Sequence, residues 1–455
     1  MKKIFNILLA TVTVISVTSC KKYLDVNVNP NQAISGTPDL VLPQSIVRLV
    51  DQYNDVPYTE AFKGAELVTP KYDKATDIYK SLADLCDAAI TTFNANPAAI
   101  TTFRAADPLF GSSSTSTIEI NRWIQFANTI KLRLIVRAGN KVAFTNKTFD
   151  SKGFLADDAI VNPVYTKIAG KQNPMWDTYA YSNANAARTA GAQYVPTPYI
   201  VGFFDGKKLK DDTRINLYYK NNAAISAQRF YNQLGDQTDA AGRGQPPNSW
   251  YKGSSASVYD QAGIFKGPDA GMPIFLAADS YFLQAEAILT GVITGNAATA
   301  FNSGMLASFT YLDKNAAGAV AGTIPGSTTI ARNPTTELAA YRVANPDSYL
   351  VNFALATTPA RQLEAIITQK YLALNFIISD EAWNEYRRTG YPVNNIPGTA
   401  TNPTTSLNSF SSVVSEATAV DRLPTRLLYP QSEFVYNAAN VPTVDKYTTK
   451  IFWAR

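Results

Sequence analysis

Apolar side chains recur every three or four positions in several stretches of this chain, and each such stretch reads as an amphipathic helix. In KYDKATDIYKSLADLCDAAITTF, residues 71–93, one stripe collects Tyr72, Ala75, Ile78, Tyr79, Leu82, Leu85, Cys86, Ala89, Ile90 and Phe93. In IEINRWIQFANTIKLRLIVRAGN the stripe is Ile120, Trp123, Ile124, Ala127, Ile130, Leu134 and Ile135, with Gly139 placed to end the helix as its C′ residue. Its cations Arg122, Lys131, Arg133 and Arg137 are expected on the wet face. A third helix is expected in FLAADSYFLQAEAILTG, ending at Gly291. A fourth runs through Leu363, Ile366, Ile367, Tyr371, Leu374 and Ile378, extended by Trp383 and Tyr386 until Gly390 and Pro392 stop it. Trp383 is read as a packing residue. Between and after these helices, residues 162–200, 221–272, 313–360 and 391–440 show no helical period and are rich in Asn, Ser, Thr, Gly, Pro and Tyr. Loops of that length inside a domain usually carry function.

The start of the chain has a different pattern. Lys2 and Lys3 precede an apolar run, Ile4 to Val17, that falls short of the roughly 20 residues a bilayer crossing needs. It has the form of a secretory signal. Val17-Thr18-Ser19-Cys20 resembles the bacterial lipobox, in which the cysteine becomes the new N-terminus and carries acyl chains. Residues 1–19 are therefore expected to be cleaved and Cys20 to be a lipid anchor, each buried methylene contributing about 0.8 kcal/mol. The remaining body, residues 20–455, shows no second apolar run of spanning length. It exceeds the size at which one core stops growing, so either two packed lobes or one elaborated domain is open.

Composition narrows the chemistry. The chain has no histidine, which excludes Ser-His-Asp and Cys-His nucleophile pairs and imidazole-based zinc sites. An enzyme reading is left with carboxylate-pair chemistry or lysine-based schemes. Asp157-Asp158 and Asp211-Asp212 are the visible pairs, and their polar neighbours mark them as solvated turns. Asp25-Val26-Asn27-Val28-Asn29 begins like a calcium loop, but Pro30 and Gly36 stand where its glycine and closing glutamate belong. Forty-one basic against 36 acidic residues, with no basic block, gives no support to nucleic-acid binding. Of the two cysteines, Cys86 is expected as a small core residue. No cofactor and no metal are implied.

The segments CKKYLDVNVNPN, NDVPYTEAFKG, PKYDKATDIYKSLADLCDAAI, NRWIQFANTIKLRLIVRAG, ADSYFLQAEA, EAWNEYRRTGYP and LPTRLLYPQSEFVYNAANV occur in this order. Together they resemble the SusD/RagB group of nutrient-binding outer-membrane lipoproteins, from Cys20 almost to Arg455. The resemblance implies a mostly α fold in which tetratricopeptide-like helix pairs support a loop-rich ligand-binding lobe. It implies no catalysis, and as partner a SusC-type TonB-dependent transporter that receives the captured oligosaccharide or peptide. Cell-surface display is the implied location, although Lys21 and Lys22 stand where exported members often carry acidic residues. A second departure follows PDLVLPQSIVRLV, after which the chain passes almost directly into DQYNDVPYTEAF. Helices usual in the family are expected to be missing near residue 50, with apolar surface exposed in consequence.

Sugars offer apolar faces and a ring of hydroxyls, so flat aromatic rings with amide or carboxylate neighbours are the side chains suited to hold them. NPMWDTYAYSN and PPNSWYKG supply Trp176, Tyr179, Tyr181, Trp250 and Tyr251 as candidate platforms, with Asp177, Asn183 and Asn248 beside them. Trp123 and Trp453 fit the core. A peptide would also suit these loops. The competing reading is a lipid-anchored glycoside hydrolase with two acids roughly 5–9.5 Å apart.

Overall fold

Each long apolar stripe folds as a helix whose ends are set by the residues beside it. Thr115 Oγ1 accepts from the Ile118 N–H at 3.2 Å to start one helix, and Asn296 and Asn333 side chains cap two others in the same way. The computed structural model describes residues 42–95, 107–111, 115–220, 233–235, 250–253, 262–323, 329–395 and 407–455. The expected signal segment 1–19, Cys20 and Asn248 lie outside them. The order is α1 (Leu42–Tyr53), α2 (Ala75–Ala95), α3 (Ser116–Ala138), β1 (Ala159–Val161), α4 (Pro174–Tyr179), α5 (Thr189–Gln193), α6 (Pro198–Val201) and α7 (Arg214–Tyr218). There follow β2 (Met272–Phe275), α8 (Ala277–Leu289), α9 (Ala297–Asp313), α10 (Pro334–Ala344), α11 (Pro359–Leu374), α12 (Ser379–Thr389) and α13 (Gln431–Tyr436).

The fold is mostly α. Helices adjacent in sequence pack as pairs, α2 on α3, α8 on α9 and α11 on α12, and the pairs join through α3 against α8 and α8 against α11. Gly304 of α9 permits the closest of these approaches, since a Cβ there would stand 2.7 Å from the Phe282 ring of α8. One core gathers Val47, Tyr79, Leu82, Cys86, Trp123, Ile130 and Trp453 from α1–α3 and the C-terminal segment. A second gathers Trp176, Tyr199, Tyr218, Trp250, Phe282, Phe309 and Ile366 from the loops and α8–α11. The antiparallel pair β1–β2 connects the two regions, with Ala159 opposite Phe275. Cys86 is a core residue as expected, and burial pushes its thiol up to about 12.

Several expectations are corrected, and short helices also form within 162–200 and 391–440. The fourth stripe is two helices, α11 and α12, because Asn375 leaves the helix and Phe376 adopts φ +63°. That turn sends the Phe376 ring 4.1 Å from Trp250 and 5.6 Å from Phe265, away from the helical stripe. Within the supposedly irregular 313–360, α10 forms, begun by the Asn333 cap and Pro334.

The cations of α3 are the largest departure. Lys131, Arg133 and Arg137 are buried, not wet. Arg137 pairs with Asp51 of α1 and with Glu381 and Glu385 of α12, the latter two at 2.5 and 3.1 Å. Arg133 pairs with Asp279 of α8 and with Glu381 at 3.3 Å. Lys370 of α11 reaches Asp279 at 2.8 Å and Glu385 at 3.0 Å, and Arg388 holds Glu286 at 2.6 Å. A charge-paired seam thus pins five helices together. Its members tolerate burial because each is paired and hydrogen-bonded.

Asp158 and Asp211 are buried too, while Asp157 and Asp212 are exposed. Asp158 Oδ1 accepts from the Ala277 N–H at 2.9 Å and starts α8, and Asp211 accepts from the Arg214 N–H at 2.9 Å and pairs with its guanidinium. These carboxylates brace helix ends.

Candidate functional site

The loop NPMWDTYAYSN is shaped by its first two residues. Asn173 Oδ1 accepts from the Trp176 N–H at 3.0 Å and its Nδ2 donates to Ala270 O at 2.9 Å, so the side chain both caps α4 and ties it to the strand region. Pro174 supplies the first helical φ. Short as it is, α4 turns Met175 and Trp176 inward and leaves Asp177, Tyr179 and then Tyr181 at the margin. Across its end lies α5, so close that a Cβ on Gly191 would meet Tyr179 O at 1.8 Å and Lys252 Nζ at 2.9 Å. Only glycine fits there, and the second loop, containing Lys252, is thereby brought against the first.

The two candidate loops therefore converge. Tyr179 meets Tyr194 edge-on at 5.8 Å and Phe376 at 5.1 Å. Phe376 continues to Trp250, which packs on Tyr219 at 5.5 Å. Lys252 Nζ stands 5.4 Å from the Tyr181 ring centre, and burial lowers its pKa to about 8. Asp177 pairs with Arg188 and accepts from Gln172 Nε2 at 2.7 Å. Burial raises the Tyr181 and Tyr251 hydroxyl pKa values. Both stay neutral donors and acceptors at ordinary pH.

Trp176 and Trp250, expected as platforms, are only 2 % and 6 % exposed. Trp176 lies 5.7 Å from Tyr181, and Trp250 is held by Phe376 and Tyr219, so both rings belong to the core under the site. Their large apolar area is stabilising there. Tyr179, Tyr181 and Tyr251 are half-buried, and Asn183 is exposed on a turn closed by the Ser182 N–H to Ala186 O bond at 2.8 Å. Sequence reasoning missed Tyr194, which is 52 % exposed, and Phe376. Tyr194 lies in the very stretch judged irregular and aromatic, so its position was signalled. Phe376 was hidden by its helical spacing.

Among the described residues no group of three or more His, Cys, Asp or Glu side chains is placed to hold a metal ion. A direct carboxyl pair does occur, Asp313 with Glu337, but these are 0 % and 5 % exposed. Burial and then Glu337 raise Asp313 to about 8. No helix among the described residues is long and apolar enough to cross a membrane.

Residues 23–409 match the model of a SusD-like family described as starch-binding and associating with the outer membrane. A chitin-binding SusD homologue from Flavobacterium johnsoniae superposes with TM-score 0.63 at 21 % identity, over 91 % of this chain and 80 % of its own. A SusD homologue from Bacteroides fragilis gives TM-score 0.58 at 19 % identity, over 91 % of this chain and 82 % of its own. A Bacteroides vulgatus protein described as "a putative outer membrane protein, probably involved in nutrient binding" gives 0.59 at 16 % identity, over 95 % and 88 %. At these identities the structural likeness shows the fold. Comparison with proteins of curated function gives no match.

Proposed function

Because this chain belongs to the SusD-like family of starch-binding proteins that associate with the outer membrane, we propose that it captures an oligosaccharide at the tyrosine rim of its loop lobe and passes it to a SusC-type TonB-dependent transporter. The family is one of binding proteins, and a nutrient-binding role at the outer membrane follows from membership. The saccharide, the rim and the transporter are the finer reading. In the same reading Cys20 carries the lipid that tethers residues 20–455 at the cell surface, and the N-terminal scaffold lacks helices near residue 50. Phe62 and Val68, 98 % and 74 % exposed, are the apolar surface that such a gap would leave bare.

One observation supports this site: Tyr179 meets Tyr194 edge-on and rests on the partly buried Phe376, which packs on buried Trp250, while Tyr181 lies against buried Trp176. Partly exposed tyrosines offer a ring face for the apolar side of a sugar and a hydroxyl for its oxygen atoms. Tyr251, Asn183 and Lys252 stand on the same two loops. The chitin-binding relative makes β-linked amino-sugar oligomers a sensible first probe beside starch oligomers.

Calorimetric titration with both oligomer series tests this. Tyr181→Ala and Tyr194→Ala should each weaken binding about 5- to 100-fold, the range that removal of one stacked aromatic contact spans, with the melting transition nearly unmoved. Trp250→Ala should instead lower the melting temperature. Unchanged affinity in both tyrosine variants, binding of peptides but no saccharide, or the appearance of new reducing ends would each overturn the proposal.

A further inference from the structure

A cavity of about 630 Å³, sharing no lining residue with the tyrosine rim, lies where the end of α12 meets the C-terminal segments, and its wall includes Tyr386, Arg387, Asp421, Thr425, Lys450 and Arg455. The charged side chains lining it are three cations and one carboxylate. That carboxylate is already engaged, since Asp421 accepts from Tyr386 Oη at 3.1 Å. The same hydroxyl accepts from Arg455 Nη2 at 3.3 Å. Lys450 and Arg455 are exposed at the mouth.

Arg387 is the unusual member. It is 6 % exposed, yet its guanidinium donates to neutral acceptors alone: Thr425 O at 3.0 Å, Asp51 O at 2.7 Å and Asn384 Oδ1 at 2.5 Å. Its buried Nε donates to nothing. The neighbouring Arg133, Arg137 and Arg388 each hold carboxylates. Among the described residues none pairs with Arg387, and burial, partly offset by Asp51, lowers its pKa to about 9. A buried cation without a counter-charge is costly, and an anion entering the cavity would relieve that cost. Thr425, whose carbonyl the guanidinium holds, is itself part of the cavity wall.

We infer that this cavity is an anion site that takes an oxyanion, carboxylate or sulfate, borne on a sugar unit. Planar, forked guanidinium groups suit such oxyanions, and the cavity volume is of the size that encloses one or two sugar rings. The sugar carrier rests on the saccharide-binding reading above; the anion site does not. A uronate or sulfated residue of the captured chain would then be read here, apart from the neutral faces read at the tyrosine rim.

Arg387 lies 3.6 Å from the Trp383 ring centre and 5.0 Å from that of Trp453, so tryptophan fluorescence reports on the cavity. The intact protein is titrated with sodium sulfate, glucuronate and glucose at constant ionic strength, with calorimetry in parallel. Sulfate and glucuronate should bind saturably and compete, and glucose should not displace them. Lys450→Gln and Arg455→Gln, both at exposed positions, should each weaken anion binding about two- to fivefold, with the melting transition of each variant measured alongside. Neutral oligosaccharide binding at the rim should be unchanged in both variants. No saturable anion binding, affinity indifferent to both substitutions, or displacement by glucose would overturn the site, and sulfate binding without glucuronate would overturn its sugar carrier. Failure of the neutral oligosaccharides alone would strike the rim and leave the cavity standing.

Discussion

Replacing Arg137 by methionine removes one cation from the centre of the buried seam while keeping most of the side-chain stem. In the native protein its side chain is 1 % exposed and faces Asp51, Glu381 and Glu385 at once. The substitution leaves those carboxylates short of one counter-charge in a place water does not reach. Breaking a buried pair in this way costs about 3–5 kcal/mol. Unfolding entropy is about 2.1 cal/mol/K per residue, so a chain of 455 residues should melt about 3–5 °C lower. The control is Arg361→Met on the exposed face of α11, which should stay within about 0.5 kcal/mol.

The sign of the pH dependence sharpens the test. Burial alone would raise Glu381, but Arg133 and Arg137 outweigh it and hold the acid well below its ordinary 4.5. Glu385 is lowered as well, by Arg388, Lys370 and Arg137 against the same burial. Groups depressed in the folded state contribute stability above their unfolded pKa, and that contribution fades as pH falls toward the folded value. Wild type should therefore lose stability steadily below about pH 4.5, and Arg137→Met, with less depression to lose, should lose less. The gap between them should narrow from pH 6 to pH 3. Calorimetry across that range decides it. A melting shift below about 1 °C, or a gap that does not change with pH, would refute the seam as a source of stability.

Two more tests address the frame and the floor of the site. Asp313 is raised to about 8 by burial and by Glu337, with Arg332 and Lys266 pulling the other way. Its contribution is complete below about 3.8 and lost as pH climbs to 8, so Asp313→Asn should gain on wild type over that window in melting experiments. Phe376→Ala removes the ring that joins Tyr179 to Trp250. It should cost about 2–4 kcal/mol in urea unfolding and weaken oligosaccharide binding while helical circular dichroism is kept.

The long helices and the core ring of Trp123 were legible because period and burial agree there, and Trp453 is buried as expected. Charge misled the same reading. A periodicity argument assigns Arg133 and Arg137 to water, since it cannot see that Asp51, Asp279 and Glu381 arrive from elements far away in sequence. The break after Leu374 was invisible for a related reason. Asn375–Ile378 keeps apolar residues at helical intervals, and what turns Phe376 outward is a pocket of rings from other loops. At the site, the two loops rich in aromatics were found, but not which rings face water. Size works against exposure: tryptophan buries the most apolar area, so of the rings in these loops it is the one folding draws inward.

That outcome has a chemical consequence for recognition. A tryptophan platform offers a sugar its face and a single N–H donor, and both tryptophan rings are packed against protein. On the proposed reading the rim is left to tyrosines, whose hydroxyls are protonated at ordinary pH, burial raising Tyr181 and Tyr251 further. Such a rim discriminates by hydroxyl geometry as well as by shape, since a misplaced sugar oxygen leaves a phenol unpaired. It also needs a stiff base, because a tyrosine displaced by an ångström loses its hydrogen bond while an apolar face would merely slide. The stiffness has an identifiable source. Phe376 sits between α11 and α12, the pair clamped by Lys370 and Glu385, so the ring supporting Tyr179 is anchored to the charged seam rather than to another loop.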